Sequence, residues 1–181
     1  MGPECRNGFV IFTATADGFL DLGARRVRCA LGRGGVRLAA DKREGDGASP
    51  LGVWPIRKVL YRPDRGRPPQ TAFPVAAIAP DDGWSDAPDD PAYNRPVKLP
   101  HAASAEAMWR EDGLYDLVVV LGHNDDPPVA GMGSCIVLHL ARPDYGPTEG
   151  CVAVGRGDLE ALLAVAQPGD AVEIRAAASR D

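Results

Sequence analysis

The sequence predicts a mostly β protein with one or two short helices. Its 181 residues include 21 glycines and 17 prolines, more than a fifth of the chain, and such a density of turn formers suits many short segments. Runs of roughly four to nine apolar and β-branched residues recur between those turns, a length typical of strands. Only two stretches read as helical.

In chain order, residues 9–15 and 24–31 flank a turn at Asp17 and Gly18 and are expected to form an opening hairpin. Residues 35–40 are the next strand. The segment 41–52, D-K-R-E-G-D-G-A-S-P-L-G, is rich in turn formers and leads into a strand over 53–61 that is interrupted at Pro55. A short apolar run covers 73–78. Residues 80–100 then read as a long loop, with Trp84, Tyr93, Asn94 and Arg95 set in acidic, proline-rich sequence. Loops of that length inside a domain tend to be functional. Residues 102–110 are expected to be helical, with Ser104 as N-cap.

Residues 115–121 (Y-D-L-V-V-V-L) and 134–140 (S-C-I-V-L-H-L) are strands whose near-continuous apolar runs imply burial on both faces. A third apolar run, 151–154, follows directly on the turn at Gly150. Asp158 then caps a helix over 159–166, with Leu159, Leu162 and Leu163 on one side and Pro168 and Gly169 to stop it. Residues 171–174 close the sheet. Without repeats or linker composition, residues 1–181 are expected to be a single domain.

Composition narrows the function classes. Hydrophobic residues make up 45% and charged residues 25%, ordinary values for a globular protein. Net charge is -5 and the basic residues are scattered among acidic ones, which argues against nucleic acid as a partner. No apolar run approaches the roughly 20 residues of a spanning helix, so no membrane segment is expected. The first thirty residues show no basic start followed by an unbroken apolar stretch, so no signal peptide is visible. None of the four cysteines, Cys5, Cys29, Cys135 and Cys151, forms a C-x-x-C pair, and the count alone supports neither a structural zinc site nor a thioredoxin-like motif. Cys5 and Cys29 flank the opening hairpin and can pair in an oxidising compartment.

The chemistry concentrates between Leu121 and Val154. His139 lies near the end of one buried strand and Cys151 opens the next, with eleven residues between them. That arrangement can bring imidazole and thiol together across two strands, and a hydrogen-bonded histidine commonly raises the thiolate fraction of a cysteine nucleophile. Gly150 allows close backbone approach, and successive amides in such a turn can form an oxyanion hole. Many buried Cys and His residues are inert, so the pair alone leaves that alternative open.

Leu138, His139 and the run Thr148, Glu149, Gly150, Cys151, Val152 resemble the signature of L,D-transpeptidases of the YkuD family. The upstream stretch 42–56, K-R-E-G-D-G-A-S-P-L-G-V-W-P-I, is similar to an earlier segment of the same family, in the same order. With Y-D-L-V-V-V-L-G-H-N, the resemblance spans roughly residues 35 to 165. The sequence departs from the family pattern at Glu149, where a histidine is usual, and at Ala153, where an arginine is common. The gap from His139 to Cys151 is also shorter than in most members, and no glycine follows the histidine.

The resemblance implies a YkuD-type β-sandwich enzyme without cofactor or metal, acting on peptidoglycan stem peptides from a periplasmic or cell-wall location. Cys151 would attack the amide after an L-centre and expel the following D-amino acid, then pass the acyl group to an amine. Exchange or hydrolysis follows when a D-amino acid or water takes the amine's place. His139 would serve as base, with the Leu140 carbonyl orienting it. The amides of Gly150 and Cys151 would hold the oxyanion, and Thr148 would orient the turn. Carbapenem β-lactams become expected inhibitors.

Substrate-binding candidates are Thr148 and Glu149 beside the nucleophile, His123 and Asn124 after the strand ending at Leu121, and the loop group Trp84, Tyr93, Asn94 and Arg95. Arg95 is the candidate to replace the arginine lost at position 153. His123 and Asn124 read equally well as a simple turn, and the loop aromatics as packing. Two rival functions remain at this level. One is a generic cysteine peptidase or amidase. The other is a non-catalytic wall-binding module or a zinc site using Cys135, His139 and Cys151.

Overall fold

The computed structural model describes residues 4–6 and 8–177. The strands are β1 (Glu4–Arg6), β2 (Phe9–Thr15), β3 (Phe19–Asp21), β4 (Arg26–Ala30), β5 (Val36–Leu38), β6 (Ser49–Tyr61), β7 (Val75–Ala77), β8 (Asp82–Ser85), β9 (Pro96–Lys98), β10 (Ala105–Ala107), β11 (Leu117–Leu121), β12 (Val137–Leu140), β13 (Val152–Val154) and β14 (Ala171–Arg175). A single 3-10 turn at Ala39–Asp41 and one α-helix, α1 (Arg156–Val165), complete the described elements. The protein is mostly β, as its turn density implies.

The large sheet runs β1-β2-β14-β6-β11-β12-β13-β4-β3, and an additional β2–β3 pairing closes the path on itself. Alternation sends the side chains of its central strands into two cores. From β11, Leu117, Val119 and Leu121 join Leu138, Val152 and Val154, together with Leu159, Leu162 and Leu163 of α1, in the larger core. Val118 and Val120 point the other way, with Val137 and Cys151, into a second core that includes Trp84 and Met108. Strands buried on both faces thus have a helix on one side and, on the other, a small antiparallel sheet ordered β10-β8-β9.

That small sheet corrects two expectations. Residues 80–100 are not a structureless loop, because β8 pairs with β9 along Asp82↔Lys98, Gly83↔Val97 and Trp84↔Pro96. Residues 102–110 are not a helix, because β10 pairs with β8 along Ala105↔Ser85, Glu106↔Trp84 and Ala107↔Gly83. Alanine-rich helix propensity is a weak local preference in so short a segment. Strand pairing and burial of Met108 at 2% exposure override it.

Three smaller differences have local causes. The opening hairpin joins β2 to the extra strand β3, and β3 in turn pairs with β4. Pro55 does not interrupt β6: it stands where pairing changes over, opposite Ala171 at the end of the β14 ladder and next to Ile56, which faces Leu121 at the end of the β11 ladder, and a ladder end tolerates a residue lacking an N–H. The helix begins two residues before Asp158, with Gly155 as N-cap, and Asp158 instead pairs with Arg25 at 2.7 Å. Cys29 is a free, buried thiol; the side chain of Cys5, its expected partner, lies outside the described residues.

Candidate active site

Strand register brings the two central residues to one face. β12 and β13 run parallel with Leu138↔Val152 and His139↔Ala153 in register, so Cys151, two residues before Ala153, shares the face of His139, one step along the ladder. Both line a cavity of about 380 Å³ beneath the small sheet, together with Glu106, Arg110, Tyr115, Cys135 and Arg142.

His139 is 6% exposed. Its Nδ1 lies 2.9 Å from the Leu140 carbonyl, and a carbonyl only accepts, so Nδ1 carries the proton and Nε2 keeps its lone pair. Burial lowers the imidazole from 6.5 to about 4, so the ring is neutral near pH 7. The Tyr115 ring packs edge-on against it at 5.3 Å. Across the cavity, the Cys151 thiol donates to the Cys135 carbonyl at 3.2 Å. Burial, followed by the charge of Glu106, pushes this thiol up to about 12. Burial thus favours the neutral form of both groups in the closed site.

The turn before Cys151 is fixed by Thr148. Its hydroxyl donates to the Cys151 carbonyl at 2.7 Å and accepts from the Gly150 N–H at 3.1 Å. The Gly150 amide, expected to help hold an oxyanion, is thus already engaged. Gly150 itself has φ +131, and a Cβ there would stand 2.8 Å from the Ala48 carbonyl oxygen, so this position requires glycine. Glu149 points outward and meets Arg33 in an exposed ion pair at 2.8 Å.

The remaining sequence candidates do not line the cavity that holds Cys151 and His139. Asn94 is 4% exposed and has φ +55. Its Oδ1 accepts from Trp84 Nε1 at 2.9 Å and from the Cys135 N–H at 3.0 Å. Its Nδ2 donates to the Asn124 carbonyl at 2.6 Å and the His123 carbonyl at 3.3 Å. Tyr93 donates to Glu44 at 2.6 Å and accepts from the Gly133 N–H at 2.9 Å. His123 stacks edge-on against Trp54 at 4.6 Å, and Asn124 clamps its own loop through Val129 and Gly133. These residues brace the 133–135 segment whose carbonyl receives the Cys151 thiol. Arg95 is exposed and lines a separate cavity of about 160 Å³ with Arg57 and Lys58.

Sequence reasoning missed Glu106, Arg110, Tyr115 and Arg142. Glu106 and Arg110 were assigned to a helix, and only the β8–β10 pairing carries Glu106 into the cavity. Arg142 is exposed at the cavity rim, and its side chain makes no hydrogen bond or ion pair among the described residues, although its charge reaches Asp112. Its signal was its place just beyond the strand bearing His139. No group of three or more His, Cys, Asp or Glu side chains among the described residues is placed to hold a metal, so Cys135, His139 and Cys151 do not gather as a ligand set. Among the described residues no helix is long and apolar enough to cross a membrane.

Compared with known proteins, residues 11–174 match the YkuD family of L,D-transpeptidase catalytic domains. No curated protein and no solved structure matches the chain.

Proposed function

Because the chain belongs to the YkuD family of L,D-transpeptidase catalytic domains, we propose that it is a one-domain peptidoglycan L,D-transpeptidase working through Cys151 and His139. The observation that carries this reading is an imidazole whose Nδ1 is tied to the Leu140 carbonyl, on the same strand face and lining the same cavity as the buried Cys151 thiol. As the Cys151 sulfur attacks the stem-peptide carbonyl after an L-centre, its proton passes to His139 Nε2. The imidazolium then protonates the departing D-amino acid, leaving a thioester on Cys151. An incoming amine on a second stem, or a D-amino acid, takes the acyl group and restores the thiol. With water the outcome is hydrolysis.

The Cys151 amide stabilises the developing oxyanion, while Thr148 and Gly150 hold the turn that presents it. Arg142, charged and unpaired at the rim, receives a stem-peptide carboxylate, the role expected of Arg95 from sequence alone. Trp84, Tyr93, Asn94, His123 and Asn124 act as supports and do not touch the peptide. The enzyme works in the periplasm or at the cell wall.

A thiolate that forms a thioester should also open a strained β-lactam. Incubation with a carbapenem is expected to add one molecule per chain at Cys151, read by intact-mass spectrometry. The adduct should be absent in Cys151→Ala. In His139→Ala it should form roughly a hundred- to ten-thousand-fold more slowly, the usual worth of a general base. Equal rates with and without His139 would remove the histidine from the mechanism. Cleavage of ordinary L-peptides in place of stem peptides would make the protein a general cysteine peptidase.

A further inference from the structure

The transpeptidase reading leaves one proton unassigned. An acceptor amine reaches the site at neutral pH mostly as ammonium, which has no lone pair with which to attack a thioester. His139 Nε2 can take only one proton, and the amine must shed two in becoming an amide.

The wall of the cavity supplied by the small sheet carries the missing group. Glu106 of β10 and Asp86, just past β8, line the same cavity as Cys151 and His139. Glu106 Oε1 accepts from the Tyr115 hydroxyl at 2.6 Å and from Arg110 at 3.4 Å, which fixes the carboxylate beside the ring that packs on His139. Asp86 Oδ1 is buried without a hydrogen-bond partner. Its charge reaches Glu106, and that of Glu106 reaches the Cys151 sulfur. An unpartnered carboxylate oxygen in a residue that lines the cavity favours a cationic donor close by.

We propose that Glu106, with Asp86 beside it, forms the subsite that receives the acyl-acceptor amine as an ammonium and takes its first proton. The inference rests on the transpeptidase reading. In the step, one N–H proton passes to a Glu106 carboxylate oxygen. The freed lone pair forms the C–N bond at the thioester carbonyl, and the C–S bond breaks with its electrons going to Cys151. The second nitrogen proton passes through His139 Nε2 to the departing sulfur, and Glu106 releases its proton through the cavity mouth. Burial, the largest influence on it, raises the Glu106 carboxyl above its ordinary value, which makes it a better proton acceptor than an exposed carboxylate.

The test measures how a Cys151 thioester, loaded from a stem tetrapeptide, divides between water and D-methionine. Both products are quantified by mass spectrometry. Glu106→Gln keeps an oxygen for the Tyr115 hydroxyl, and is expected to lower the transfer-to-hydrolysis ratio at least tenfold at pH 7. The deficit should shrink as pH rises toward 9.5, where solution supplies more of the free amine, and Glu106→Asp should recover part of it. Asp86→Asn, an independent check should the first variant fold poorly, is expected to raise the D-methionine concentration giving half-maximal transfer. An unchanged ratio in Glu106→Gln, or a deficit equally large at every pH, would overturn the proposal. Absence of any thioester on wild-type Cys151 would overturn the transpeptidase reading and this subsite with it.

Discussion

Burial acts in opposite directions on the two residues at the centre of the cavity, raising the Cys151 thiol to about 12 and lowering His139 to about 4. Moving a proton from the thiol to the imidazole is therefore uphill, and under the proposed mechanism it becomes favourable only as carbon–sulfur bonding removes negative charge from sulfur. The expected consequence is a resting thiol that reacts slowly with iodoacetamide at pH 7. Its labelling rate should rise about tenfold per pH unit to beyond pH 9. A preformed thiolate would instead give a plateau near neutrality. Cys151 should still be labelled ahead of Cys29, which is packed in the larger core. At this scale the sequence was legible where chemistry and spacing were local: Thr148, Gly150 and Cys151 sit within four consecutive positions, and His139 lies on a strand readable by its apolar run. Glu106 was not legible, because its place depends on pairing with residues about twenty positions earlier.

Among the elements, the small sheet matters most to the site, although its strands are three or four residues long. Such strands have little hydrophobic periodicity to read, and their alanines favour the wrong structure in isolation. Long apolar strands such as β11 and β12 were legible for the opposite reason. The small sheet is tied to the surroundings of Cys151 by Asn94, which bonds Trp84 of β8 and the Cys135 amide at once. Asn94→Ala would strand the indole and amide N–H groups and two carbonyls, in a backbone conformation that alanine adopts at a cost. Chemical denaturation should show a loss of about 3 kcal/mol or more. Acylation by a carbapenem should slow as well, because the Cys135 carbonyl that accepts from the thiol is no longer held. Normal stability in this variant would mean that the network carries no load.

For the whole molecule, the buried neutral histidines set an acid limit on stability. A histidine whose folded value lies below its unfolded one binds more protons when unfolded, so stability is present above the unfolded value and is lost as pH falls from 6.5 toward 4. For His139 this is on the order of 3 kcal/mol, and His123, lowered by burial, adds in the same sense. Glu106, raised by burial, works in the opposite direction. The net expectation is a lower melting temperature at pH 5 than at pH 7, with a smaller difference in His139→Gln; equal differences would show that other groups set the limit. β14 lies between β2 and β6, two strands made much earlier in the chain. While the ribosome is still making the chain, both neighbours must wait with open edges, and the sheet can close only after residues 171–175 have cleared the exit tunnel. The strand that follows Cys151 is thus synthesised before the enclosure around it can be sealed, and the nascent chain holds that cysteine in an open sheet until β14 slides into the gap.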